Sequence, residues 1–166
     1  MQLDHYSSKF NQHIFPITLL CDNVTNAPNI GSLFRICDAF GVAQLIFCGE
    51  QITIGRKVMK TSRATEKVVK YRYEPNIVTT VNELKDTCFI AVLEITTNSV
   101  PIHQFKFDLN KPVTLIVGDE NYGVNQQIVD LADAVLHIDM FGQNSSMNVV
   151  QATNIALYEI TKQLMR

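Results

Sequence analysis

Three short segments of this 166-residue chain hold the side chains best suited to chemistry. The first is Asn26-Ala27-Pro28-Asn29-Ile30-Gly31-Ser32-Leu33-Phe34-Arg35. Pro28 fixes a turn, Asn29 is the predicted cap of a helix, and Gly31 allows close backbone approach at its start. Free amides at such a start favour an anion, and Arg35 projects beside that opening, one turn further on. The second is Val117-Gly118-Asp119-Glu120-Asn121-Tyr122-Gly123, in which a strand runs into a turn with two glycines and two acids. The glycines permit a tight turn or approach to a flat ligand, and Glu120 can hold the loop by accepting backbone N–H bonds. The third runs from Ile138 through Asp139, Met140, Phe141 and a small polar stretch to Ser145, Ser146, Met147 and Asn148. Ser145 or Ser146 is the predicted cap of the long helix that follows. Each segment taken alone also suits an ordinary turn or capped helix.

Elements must hold these segments in place. Residues 17–21, 44–47, 68–73, 88–93, 113–117 and 134–138 read as strands, being short, apolar and rich in β-branched residues. Helices are predicted from about Ile30 to Phe40, from Pro75 to Lys85, over 125–132 and over 149–164. The last carries Val149, Ala152, Ala156, Ile160 and Leu164 at spacings of three and four. Gly41 stops the first helix in the left-handed position. Strands alternating with helices predict an α/β fold, a mostly parallel sheet with helices on both faces. All three segments follow predicted strands, where the ligands of such folds gather. Residues 1–166 read as one domain, with 1–15 a short N-terminal extension.

Composition narrows the classes. With 18% charged and 46% hydrophobic residues the chain is neither disordered nor supercharged, and no apolar run nears the ~18 residues of a membrane span. The N-terminus lacks the basic start and apolar stretch of a signal peptide, so a cytoplasmic setting is expected. Cys21, Cys37, Cys48 and Cys88 form no CxxC pair, and reduced, partly buried thiols are expected rather than disulfides or zinc. His5, His13, His103 and His137 show no ligand spacing; no metal is expected and each reads as structural or surface. Tyrosines and phenylalanines read as core rather than as base-stacking platforms. No strand-linked G-x-G-x-x-G is present, which weighs against a dehydrogenase.

The net charge of −2 hides an asymmetry. Between 56 and 72 lie Arg56, Lys57, Lys60, Arg63, Lys67, Lys70 and Arg72 against Glu66 alone, a local charge of +6. Local potential attracts phosphate backbones, and Thr61, Ser62 and Thr65 add hydroxyls suited to phosphate contacts. A solvated face is the plain alternative.

In this order and at these separations, the three segments resemble the SpoU (TrmH) branch of the SPOUT methyltransferases. The matching residues are Pro28-Asn29-x-Gly31-x-x-x-Arg35 with Phe40-Gly41, Gly118-x-Glu120-x-x-Gly123, and Ile138-x-Met140-x-Gly142 with Ser146-Met147-Asn148. The resemblance covers nearly the whole chain, from about Ile17. It implies an S-adenosylmethionine-dependent RNA 2′-O-ribose methyltransferase acting on tRNA or rRNA, with a C-terminal trefoil knot and a homodimer packed through the first and last helices. It implies Arg35, Asn29, Glu120, Ser146 and Asn148 as catalytic residues. Leu93, Gly118, Gly123, Ile138, Met140, Ser146 and Met147 would bind the cofactor. Arg56, Lys57, Lys60, Arg63 and Lys67 would bind RNA. The alternative is a catalytically weak, knotted RNA-binding or assembly factor. Gln151 and Asn154 depart from the small residues that the family carries there.

Overall fold

The computed structural model describes residues 10–108 and 110–165. In chain order its elements are β1 (Phe15–Asp22), α1 (Ala27–Ala39), β2 (Val42–Cys48), α2 (Arg56–Ser62), β3 (Tyr71–Glu74), α3 (Ile77–Leu84), β4 (Phe89–Leu93), β5 (Val100–Pro101), β6 (Val113–Gly118), α4 (Gln126–Leu131), β7 (Ala134–His137) and α5 (Val149–Leu164). Short 3₁₀ turns cover Thr65–Lys67 and Ile102–Gln104. Among the described residues the strands form one sheet in the order β3-β2-β1-β6-β4-β7-β5. Every neighbouring pair is parallel.

Side chains alternate across this sheet because the strand period is two. Ile17, Leu19 and Cys21 of β1 pack with Ile30, Leu33, Phe34 and Cys37 of α1 and with Ala156, Leu157 and Ile160 of α5. Leu20, Ile46, Ile90 and Ile116 point the other way, against Ile77 and Val81 of α3 and Ile128 of α4. Burial on both faces explains why the central strands read as continuous apolar runs. Cys21, Cys37 and Cys48 are buried and all four thiols are free. Burial pushes the Cys21 and Cys37 thiols well up and Cys48 to about 11.

Several expectations shift by a turn. The cap of α1 is Asn26, not Asn29, because Asn26 stands three residues ahead and accepts the Asn29 N–H at 3.1 Å. Asn29 lies inside the first turn with its amide free for other work. Asn148, not Ser145 or Ser146, caps α5, accepting the Val150 N–H at 2.9 Å. Strand β3 begins at Tyr71 rather than at Val68, since 65–67 wind into a 3₁₀ turn that leaves Val68 exposed. Helix α3 starts two residues after Pro75, where Asn76 caps it through the Thr79 N–H at 3.0 Å. Phe15 opens β1 rather than closing an extension, and residues 1–9, including His5, lie outside the described residues. No described helix is long and apolar enough to cross a membrane.

Two contacts hold the frame of the site. Gln163 on α5 accepts the Phe107 N–H at 3.1 Å and donates to the Phe105 carbonyl at 3.0 Å, strapping the segment before β6 onto that helix. Helices α1 and α2 meet at Gly31, where an added Cβ would come within 2.0 Å of Thr61 Oγ1 and 2.3 Å of the Val58 carbonyl. Gly31→Ala must therefore push α2 away. The expected outcome is a loss of about 1–3 kcal/mol in urea unfolding, as for other overpacked contacts; an unchanged midpoint would show that α2 yields freely.

Candidate active site

The loops after β4, β6 and β7 surround a cavity of about 460 Å³, within the range of small-molecule sites. Leu93, Gly118, Gly123, Ile138, Met140, Ser146 and Met147 all line it, so the seven residues read as a cofactor set are brought together. Val117 and Val149 extend its apolar wall, and Glu94, Asp119, Glu120 and His137 line it alongside the Tyr122 phenol.

Carboxylates organise the β6 loop. Asp119 and Gly123 pair in an antiparallel bridge, and Gly123 adopts φ +68°, where a side chain would be strained. An added Cβ at Gly123 would also reach within 2.4 Å of Glu94 Oε2. Asp119 accepts the Asn121 and Tyr122 N–H groups at 2.8 and 3.2 Å. Glu94 accepts from Val124 N at 3.1 Å, and Asp22 accepts from Asn125 N at 2.9 Å. Burial raises the Asp22 carboxyl, opposed by its bonds from Asn125 and Asn23. Neither Asp22 nor Glu94 was legible as a site residue, because each acts on a loop remote from it in sequence.

Glu120 takes a different direction. Its Oε1 accepts from Asn148 Nδ2 at 2.6 Å and from the Val149 N–H at 3.3 Å. Asn148 Nδ2 also donates to Asn29 Oδ1 at 3.2 Å. The orientation of the Asn148 amide is set, because its oxygen must serve the Val150 N–H. Three residues separated by 28 and 119 positions thus form one network at the start of α5.

Arg35 stands apart from it. The residue is exposed on α1, is absent from the cavity lining, and has no ion-pair partner among the described residues. It lies one turn beyond Gly31, on the side of α1 that meets α2. Ser146 lines the cavity, and its backbone N–H donates to Asn144 Oδ1 at 3.3 Å.

The basic segment presents Arg56, Lys57, Lys60, Arg63, Lys67 and Lys70 to solvent, whereas Arg72 is half-buried and paired with Glu74 at 3.3 Å. Its hydroxyls are not free for phosphate as the sequence reading expected. Thr61 donates to the Pro28 carbonyl at 3.1 Å, Thr65 to the Ser62 carbonyl at 2.6 Å, and Ser62 to Glu66. The Ser62 bond holds the Glu66 carboxyl below its ordinary range. Arg63 and Ala64 both adopt left-handed φ, 55° and 72°, which turns the chain sharply and costs roughly 1–2 kcal/mol per residue. Tyr122 and Phe141 correct another expectation. At 91% and 96% exposure they stand on the two site loops instead of in the core, with no described element covering them.

The profile of the SpoU rRNA Methylase family matches residues 16–158. The tRNA (guanosine(18)-2'-O)-methyltransferase of Aquifex aeolicus is 33% identical over 151 residues, covering 89% of this chain and 69% of that protein. A putative TrmH family tRNA/rRNA methyltransferase of Staphylococcus aureus is 27% identical over 86% of this chain and 57% of its own length. The crystal structure of the A. aeolicus TrmH/SpoU tRNA modifying enzyme superposes with a TM-score of 0.82 at 31% identity, covering 92% of this chain and 77% of that one. The SpoU methyltransferase AviRb from Streptomyces viridochromogenes reaches 0.79 at 25% identity, over 90% and 60%. This α/β domain, with its loop-walled cavity and its Asn29–Asn148–Glu120 network, belongs to the SpoU rRNA methylase family.

Proposed function

We propose that the chain is an S-adenosylmethionine-dependent RNA 2′-O-ribose methyltransferase acting on tRNA or rRNA. The carrying observation is the cavity walled by the family's own motif residues, with the Asn29–Asn148–Glu120 network beside it. The cavity fits the cofactor. Leu93, Val117, Ile138, Met140, Met147 and Val149 offer apolar walls to an adenosine, and the three carboxylates with no Lys or Arg suit a cation. S-adenosylmethionine, when bound, supplies an electrophilic methyl on a positively charged sulfur.

The chain's own residues handle the ribose. Glu120 holds the Asn148 amide, and Asn148 and Asn29 orient the sugar or the arginine beside it. Ser146 serves the same pocket. Arg35, through the planar fork of its guanidinium, clamps phosphate and hydroxyl and stabilises the developing alkoxide rather than acting as a base. The deciding experiment is transfer of labelled methyl to unmodified tRNA and rRNA, separately, followed by alkaline hydrolysis. Label in alkali-resistant dinucleotides supports the reading, since a 2′-O-methyl blocks cleavage at its own linkage. Donor binding without label in either RNA would point to a missing partner or a different RNA substrate. Failure of donor binding as well would favour the alternative, a catalytically weak RNA-binding or assembly factor, which draws on the placement of Arg35 outside the cavity.

The exposed basic segment is the RNA surface in this reading. Replacing Lys60 and Arg63 with Ala is expected to lower the slope of log affinity against log salt by about 1.5, with affinity falling at every concentration. Binding unchanged across salt would remove the assignment. A homodimer is supported by α5, whose outward face carries Gln151, Asn154, Ile155 and Tyr158, the last 60% exposed. The strand order β6-β4-β7-β5 and the strap of 105–107 over α5 support the trefoil knot. Free, buried thiols support a reducing, cytoplasmic setting.

A further inference from the structure

We infer that His137 is a positioning residue for the donor cavity, clasping together the two chain segments that form one of its walls. One segment runs on from the last residue of β4 and contributes Leu93, Glu94, Ile95 and Thr96 to the lining; the other follows β7 and contributes Ile138 and Met140. Ser99 is tied to the first, its Oγ accepting from Thr96 N at 3.0 Å and lying 2.9 Å from the Thr96 carbonyl. His137 Nδ1 lies 2.9 Å from that Oγ, and Nε2 lies 3.3 Å from Asp139 Oδ1. Asp139 sits between the lining residues Ile138 and Met140, and its Oδ2 is 3.7 Å from His103 Nδ1 on the 3₁₀ turn. The chain of contacts Thr96–Ser99–His137–Asp139–His103 adds a side-chain link to the backbone pairing of β5 with β7 and to the Glu94 N–H bond to the Leu136 carbonyl at 2.9 Å. It extends the joint beyond the strand ends to residues 96 and 139.

The ring can span the two segments in two ways. With its proton on Nε2 it donates to Asp139 and accepts the Ser99 hydroxyl; with both nitrogens protonated it donates to both partners and leaves the Ser99 proton on the Thr96 carbonyl. A metal centre is the competing reading of two histidines and a carboxylate, but among the described residues no three His, Cys, Asp or Glu are placed to hold an ion. The clasp preorganises one wall of the cavity, so its loss falls on donor affinity more than on the methyl-transfer step.

The role at a donor site rests on the proposed methyl-transfer function, so the test carries a readout independent of the donor. Amide hydrogen exchange of the free protein reads the order of residues 94–99 and 138–140, and calorimetry with S-adenosylmethionine reads affinity. His137→Leu is expected to speed exchange in both segments and weaken donor binding about 10-fold, with turnover at saturating donor little changed. His137→Asn places a nitrogen near the Nδ1 position and keeps the Ser99 link; His137→Gln does so near Nε2 and keeps Asp139, and each should recover about half of the loss in free energy. Ser99→Ala provides a milder break should the leucine variant fold poorly. Unchanged exchange in a folded variant would overturn the clasp. Faster exchange in a protein whose wild type binds no donor would overturn the role at a donor site and, with it, the cofactor assignment.

Discussion

Replacing Arg35 with Ala is expected to lower methyl transfer by about 10²–10³-fold while leaving S-adenosylmethionine affinity within about 2-fold. The two readouts separate because Arg35 does not line the cavity, and its side chain is exposed on α1 without an ion-pair partner among the described residues. A guanidinium free of a partner is available to a phosphate, which offers it a bidentate acceptor. Arg35→Lys keeps the charge and loses the planar fork, so activity at least about 10-fold below wild type is expected. Near-normal turnover of the lysine variant would reduce the role to a point charge. Near-normal turnover of the alanine variant would remove Arg35 from the reaction altogether.

Glu120 carries the second large effect, and here stability and activity should part company between two variants. Its single oxygen Oε1 serves both the Asn148 side chain and the Val149 N–H. Glu120→Ala strands both donors at the start of α5, for an expected loss of about 1–2 kcal/mol in unfolding free energy, comparable to losing a helix cap. It also releases the Asn148 amide that reaches Asn29, so a fall in turnover of about 100-fold is expected with it. Glu120→Gln retains an oxygen able to accept both bonds, so its stability should stay within about 0.5 kcal/mol of wild type. A glutamine variant that is both stable and fully active would mean that Glu120 works by holding the loop alone. A stable but slow one would show that its charge acts on the reaction. Denaturant melts and single-turnover methyl transfer on the same preparations distinguish the two.

These effects depend on features that differ in how far the chain announces them. The parallel sheet was readable from apolar runs such as 113–117, since burial on both faces leaves no alternation to confuse. Helix α5 was readable to the residue, because sixteen positions repeat one apolar face. Helix α2 was not delimited, since a seven-residue helix rich in lysine and arginine carries too little apolar periodicity to mark its ends. The caps were misplaced by two or three residues, at Asn29 for Asn26 and at Ser145 or Ser146 for Asn148. Asn, Ser and Pro crowd each start, and every one of them is chemically able to cap.

The composition of the site was therefore written in the chain. The resemblance of three ordered motifs to the SpoU family singled out Gly118, Glu120, Gly123, Ile138, Met140, Ser146, Met147 and Asn148, whereas each motif alone also suited an ordinary turn or capped helix. The partners of these residues were decided by the tertiary structure alone. Asn29 meets Asn148 across 119 positions, Asp22 holds Asn125 across 103, and His137 reaches Ser99 across 38. A hydrogen bond between distant segments leaves no periodic trace, for its geometry exists only once the order β1-β6-β4-β7 brings the strand ends side by side. The same holds for the hydroxyls of Thr61, Ser62 and Thr65, whose types suit phosphate but which donate instead to the Pro28 carbonyl, to Glu66 and to the Ser62 carbonyl.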